Sequence, residues 1–141
     1  MIPARTNGED GGRNDVGQSL KMESELFMKL IPANEKKDGI ILPGATEFAR
    51  KLGVTKDRFS KKTFLWKLGD EVYFSFVETT NEGQGYFREV VENCLSRGYT
   101  VKIPSPIGRM QQIVEKNGYK YTEEVSKIGD LVEVWVKRDD F

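Results

Sequence analysis

The chain has no histidine and a single cysteine, Cys94. Histidine is the commonest general base near neutral pH and the commonest zinc ligand, so both roles fall to other residues or go unfilled. One thiol cannot close an internal disulfide or build a thiolate metal cage, and no metal site is expected. That thiol usage fits a reducing compartment, and a cytoplasmic location is expected. No apolar run of roughly 18 residues occurs and no basic-then-apolar leader opens the chain, so neither a membrane span nor a secretory signal is expected. An excess of either charge is also missing, with 22 basic residues against 22 acidic ones. Phosphate backbones are held by net positive charge, so a large nonspecific nucleic-acid surface is not expected.

What is present suffices for one folded domain, since 141 residues with 38% apolar content can bury one core. Residues 1–22 are rich in Gly, Asn and Asp, and their few large apolar side chains sit at the two ends of the segment, with none between Ile2 and Val16. Such a segment does not offset its own ordering entropy. It reads as a flexible arm, or as an arm held by a protein partner in a multi-chain assembly. The domain proper is expected over residues 23–141.

Glu25–Ile31 reads as a first strand stopped by Pro32. Ile40–Leu42 is a short apolar piece ended by Pro43 and Gly44, and Thr46 is placed to cap a short helix through Leu52, with Gly53 just past its end. The basic stretch Lys56–Lys62 reads as a solvated loop, with a phosphate-facing patch as the alternative. Residues 63–68 and 71–79 flank Gly69-Asp70, a two-residue hairpin turn. In the second of these strands Val72, Phe74 and Phe76 take one face, which Glu78 continues, and Tyr73, Ser75 and Val77 take the other. Apolar or aromatic residues on both faces predict a central, doubly covered strand. Trp66 and Trp135 read as packing residues.

The most informative stretch follows. Thr80-Asn81-Glu82-Gly83-Gln84-Gly85 leads straight into a helix marked by Phe87, Val90, Val91, Cys94 and Leu95 and stopped by Gly98. Cys94 sits on the apolar face and reads as a small hydrophobe. Tyr99–Ile103 is a strand. A strand–helix–strand of this length predicts a right-handed crossover between parallel strands, with the glycine turn at the carboxyl edge of the sheet. Two glycines there let main-chain N–H groups approach an anion at a helix N-terminus. After Pro104, a second helix carries Ile107, Met110, Ile113 and Val114 and closes at Gly118. Tyr119–Val125 and Leu131–Arg138 then form an antiparallel pair around Gly129-Asp130.

This order of elements resembles the GNAT-type N-acetyltransferase superfamily. The resemblance is most specific over Thr80–Tyr121: both glycines of the family's Gln/Arg-x-x-Gly-x-Gly/Ala turn are matched by Gly83 and Gly85, and Glu115-Lys116-Asn117-Gly118-Tyr119 matches its Glu-Lys-x-Gly-Phe ending. Arg109-Met110-Gln111-Gln112-Ile113-Val114 is similar to small acetyltransferase-like proteins of tailed phages, in which case the host cytoplasm or the virion is the location. The resemblance implies an α/β (α+β) fold with a mixed sheet, a central parallel strand pair that splays apart, and flanking helices. It implies acetyl-CoA as the cofactor, its pyrophosphate on the amides of Gly83 and Gly85, with Thr80, Gln84, Tyr86 and Arg88 around it. Glu78 becomes the candidate base for an amine acceptor, its pKa open to being raised by burial at the cleft, with an exposed strand-end carboxylate as the plainer reading. Tyr119 is a candidate proton donor, with the aromatic core residue of the Gly-Phe pattern as its plainer reading.

Three positions point to a second reading. Thr80 stands where the family has Gln or Arg, Glu82 sets a negative charge beside the pyrophosphate position, and Val114 stands where many members carry the tyrosine that protonates the leaving thiolate. The alternative is a non-catalytic structural or interaction protein on the same fold, a component of a phage particle or phage–host complex.

Overall fold

The computed structural model describes residues 31–126 and 128–140. The arm over residues 1–22 and all but Ile31 of the strand expected over Glu25–Ile31 lie outside the described residues. The described chain runs β1 (Gly39–Ile41), α1 (Glu47–Leu52), β2 (Phe64–Leu68), β3 (Glu71–Phe76), α2 (Tyr86–Ser96), β4 (Thr100–Pro104), α3 (Arg109–Lys116), β5 (Lys120–Val125) and β6 (Leu131–Lys137). It is a mixed α+β arrangement: one six-stranded sheet in the order β1-β2-β3-β4-β6-β5, with three helices. β3 and β4 are parallel, and the other neighbouring pairs are antiparallel. The piece at Ile40–Leu42, read from sequence as a short apolar stretch, supplies the edge strand β1 through its pairing with β2.

Local signals account for most element ends. Thr46 is extended, and its hydroxyl oxygen accepts the Ala49 N–H at 3.0 Å, capping α1. Gly53 ends that helix in the left-handed conformation at φ 94°. The core gathers Phe48, Ala49 and Leu52 from α1, Val90, Val91 and Cys94 from α2, and Val114 from α3. These pack on strand residues from β1 to β4, including Leu65, Val72, Val101 and Ile103. Phe87 meets Phe74 edge-on with ring centres 5.5 Å apart, fixing the first turn of α2 to β3.

The central strand departs from its expected pleat. Phe64 pairs with Phe76, but Trp66 pairs with Tyr73, so two steps along β2 face three along β3. The extra residue is a β-bulge, which bends the strand and reverses the alternation beyond it. Val72 and Phe74 are buried, whereas Phe76 is 43% exposed and Val77 packs on the core. The face assigned from sequence to Phe76 and Glu78 is therefore corrected: a strict two-residue period holds only up to the bulge. The strand also stops at Phe76, short of the expected Thr79. From there the Glu78 N–H donates to the Thr63 hydroxyl oxygen at 3.0 Å, and its carbonyl accepts the Ser60 N–H at 2.9 Å.

The parallel ladder is short. β3 and β4 pair at Glu71↔Thr100, Val72↔Val101 and Tyr73↔Lys102, and no further. Beyond that point β3 stays with β2 at Phe76↔Phe64, and β4 stays with β6 to Pro104↔Val134. Each strand keeps its outer neighbour and leaves its inner one, so the sheet forks. The last pair before the fork carries an ionic cluster. The Lys102 ammonium reaches Glu71 at 3.0 Å and also Glu124 of β5, and the Tyr73 hydroxyl lies 3.2 Å from both carboxylates. Burial alone would lower the Lys102 pKa, but its hydrogen bonds to Glu124 and Glu71 outweigh that and raise it.

Burial pushes the Tyr73 hydroxyl up from 10.0 to about 12, against the opposing Lys102 charge. A raised pKa means that the fold holds its proton more tightly than the unfolded chain, so this contribution is complete below pH 10 and is lost as pH rises through about 12. Thermal melts from pH 8 to 12 are expected to show a falling midpoint across that window, with a shallower fall in Tyr73→Phe. Equal slopes for the two proteins would exclude Tyr73 as a source.

Candidate functional site

A cleft of about 860 Å³ opens where the chain leaves the carboxyl ends of β3 and β4. Tyr86, Phe87, Val91 and Leu95 of α2 form one apolar wall, and Met110 and Ile113 of α3 form the other. The lining also carries charges of both signs, Glu78, Glu82 and Glu92 with Arg88, Arg109 and Lys137. An apolar interior with a few polar groups at its mouth is the usual build of a small-molecule site.

The glycine turn forms the mouth on the α2 side. Gly83 and Gly85 have φ 79° and 78°, a left-handed backbone that residues with a β-carbon adopt only under strain. Gly85 is the N-cap of α2, and no side chain caps that helix. Its first N–H groups are thus left to a ligand or to water, at the positive end of the helix dipole. On the facing side α3 starts at Gly108, again with no side-chain cap, and its first turn holds Arg109 and no acid. There, however, the Met110 N–H donates to the Ile107 carbonyl and the Gln111 N–H to the Gly108 carbonyl, so the backbone itself closes the start of α3.

The structure brings most of the sequence-derived candidates together. Glu78, Gly83, Gln84, Gly85, Tyr86, Arg88 and Tyr119 all line the cleft. Thr80 does not. Its N–H donates to the Arg58 carbonyl at 2.8 Å and its hydroxyl to the Asp57 carbonyl at 2.7 Å, so it anchors the turn to the preceding loop. The basic stretch supports the same place: the Arg58 guanidinium donates to Glu89 at 2.7 Å and lies 4.9 Å above the Tyr86 ring, bracing the first turn of α2.

Glu78 is pinned by its backbone, with an exposed side chain at the rim. This is the exposed strand-end carboxylate of the plainer reading, set at the mouth of the cleft. Burial pushes the Tyr119 hydroxyl up, so it keeps its proton through the neutral range and offers a hydrogen bond more readily than a proton. Its ring lies under the Lys137 ammonium at 5.5 Å, and that ammonium donates to the Asn117 carbonyl at 2.6 Å. Val114 is wholly buried in the core. Cys94 is buried too, its thiol pushed up to about 12, which excludes a thiolate nucleophile.

Arg109 and Lys137 belong to the site and were not singled out from sequence. Arg109 had a usable signal, a cation just after a glycine that opens a helix. Lys137 had none, because only the fold brings the end of β6 under Tyr119. Among the described residues, no group of His, Cys, Asp and Glu is arranged to hold a metal ion, and no helix is long and apolar enough to cross a membrane. No family model matches the chain, and neither curated proteins nor solved structures give a match.

A β-carbon added at Gly85 meets nothing within 4 Å, so substitution there carries a conformational cost alone. Gly85→Ala is expected to lower stability by about 1–2 kcal/mol, read as a shift of the urea midpoint at constant m. An unshifted midpoint would mean that the turn does not require the left-handed backbone.

Proposed function

We propose that this is an acetyltransferase-like protein of the GNAT type, whose cleft binds acetyl-CoA and serves transfer of the acetyl group to an amine. The observation that carries the reading is the fork: a parallel pair that separates after Tyr73↔Lys102, with an uncapped glycine-bearing helix start beside the opening. The run of β3, glycine turn, α2, parallel β4, α3 and a closing antiparallel pair supports it.

The residues fit the cofactor. The amides of Gly83 and Gly85 would take the diphosphate, and Arg88 and Arg109, which line the same cleft, would add positive charge. The unpaired inner edges of β3 and β4 suit the amides of a pantetheine arm, in the manner of an added strand. Acetyl-CoA would supply the activated acetyl group. Glu78, at the rim, would take the proton from the amine as its nitrogen bonds to the acetyl carbon and the carbon–sulfur bond breaks. Coenzyme A would leave as the thiolate and take its proton from water, with the Tyr119 hydroxyl donating a hydrogen bond within the cleft. A reducing, cytoplasmic setting is consistent with the single buried thiol.

One observation favours a second reading. Val114 is sealed in the core where a proton donor would stand, and Tyr119 holds its own proton firmly. A protein that kept the fold for interaction, in a phage particle or phage–host complex and with a partner on the arm over residues 1–22, needs neither.

Titration of the protein with acetyl-CoA separates the two. Binding is expected, and ligand at 100 times its Kd should add about 2.7 kcal/mol to folding stability. A flat thermal shift over millimolar acetyl-CoA would leave the interaction reading. Given binding, Glu78→Gln is expected to abolish acetylation of amines while sparing affinity; unchanged turnover would remove Glu78 from the reaction.

A further inference from the structure

Glu82 lies in the turn that leads into α2, and Arg109 is the first residue of α3. Their side chains meet at 3.2 Å, and both line the cleft. Arg109 sets a cation at the positive end of the α3 dipole, in a first turn without an acid, while the Met110 and Gln111 N–H groups are taken by the Ile107 and Gly108 carbonyls. That combination calls for an anion, which Glu82 supplies from the opposite wall. The pair is largely exposed, with Arg109 at 62% and Glu82 at 75%, so water screens it and it opens at little cost.

We infer that the Glu82–Arg109 pair is a latch on the cleft: Glu82 holds the anion position in the free protein, and Arg109 passes from it to the diphosphate of an entering nucleotide thioester. The inference rests on the acetyl-CoA assignment above and adds a selection rule to it. A diphosphate carries more charge than one carboxylate and offers more oxygens to a guanidinium, so it wins Arg109. A thioester lacking phosphate leaves the pair closed and gains nothing from Arg109. Glu82, unhelpful beside a pyrophosphate when taken alone, becomes the residue that sets which ligands open the cleft.

Calorimetric titration of the wild type, Glu82→Gln, Arg109→Gln and the double variant tests this, with acetyl-CoA and S-acetylpantetheine as ligands. Both positions are exposed, so all four proteins are expected to fold, as far-UV dichroism checks. Glu82→Gln should tighten acetyl-CoA by about two- to fivefold and leave S-acetylpantetheine unchanged. Arg109→Gln should weaken acetyl-CoA, and in that background the gain from Glu82→Gln should shrink, the coupling expected of two residues acting together. A gain undiminished without Arg109, or matched by Glu92→Gln on the same rim, marks simple removal of negative charge and overturns the latch. Wild-type binding with no effect of Glu82→Gln overturns the latch alone. Absence of acetyl-CoA binding in all four proteins overturns the cleft assignment and the latch with it.

Discussion

One surplus residue in β3 governs the rest. Pairing with β2 forces three residues of β3 to span what two residues of β2 span, and the strand bends. The bend draws β3 away from β4 after three paired positions. At the last of these, Tyr73 and Lys102 meet Glu71 and Glu124, tying β3, β4 and β5 together at the apex of the fork. A bulge opens the sheet and an ionic cluster stops the opening from spreading toward the other end. Neither device alone gives a fork of fixed depth.

The loop between α1 and β2 holds the open side in shape. Thr63 and Ser60 secure the backbone of Glu78, Asp57 and Arg58 secure Thr80, and the Arg58 side chain steadies Glu89 and Tyr86 in α2. Between these anchors the glycine turn has one side-chain tie to the rest of the fold, the Glu82–Arg109 pair, which is largely exposed. That division suits a binding loop, whose amides must stay available while its ends stay still. It also explains why the basic stretch is structural in its arginine: Arg58 is spent on α2.

Much of this was legible from residues alone, wherever a signal was local. Glycine stops, the Thr46 cap and the helical spacing of Val90, Val91 and Cys94 placed the elements other than β3, which stops three residues early, within a residue or two, and the crossover length gave the parallel pair. The bulge was not legible, because Phe76 and Val77 are both apolar and fit either pleat. β1 is three residues long, too short for a periodic signal. The site shows the same division. Gly83 and Gly85 announce themselves through their backbone needs, whereas the ties of Thr80 to Asp57 and of Lys137 to Tyr119 depend on contacts far apart in the chain. Exposure of Glu78, one of the two readings its place at a strand end allowed, goes with the pleat reversal at the bulge.

The fork is the central claim, and nuclear Overhauser contacts between backbone protons of β3 and β4 test it most directly. Cross-strand contacts should join residues 71–73 to residues 100–102 and be missing from Ser75 and Phe76 to Pro104 in the free protein. An unbroken series of contacts reaching Pro104 would mean that the strands close on each other, and no room for a ligand would remain between them.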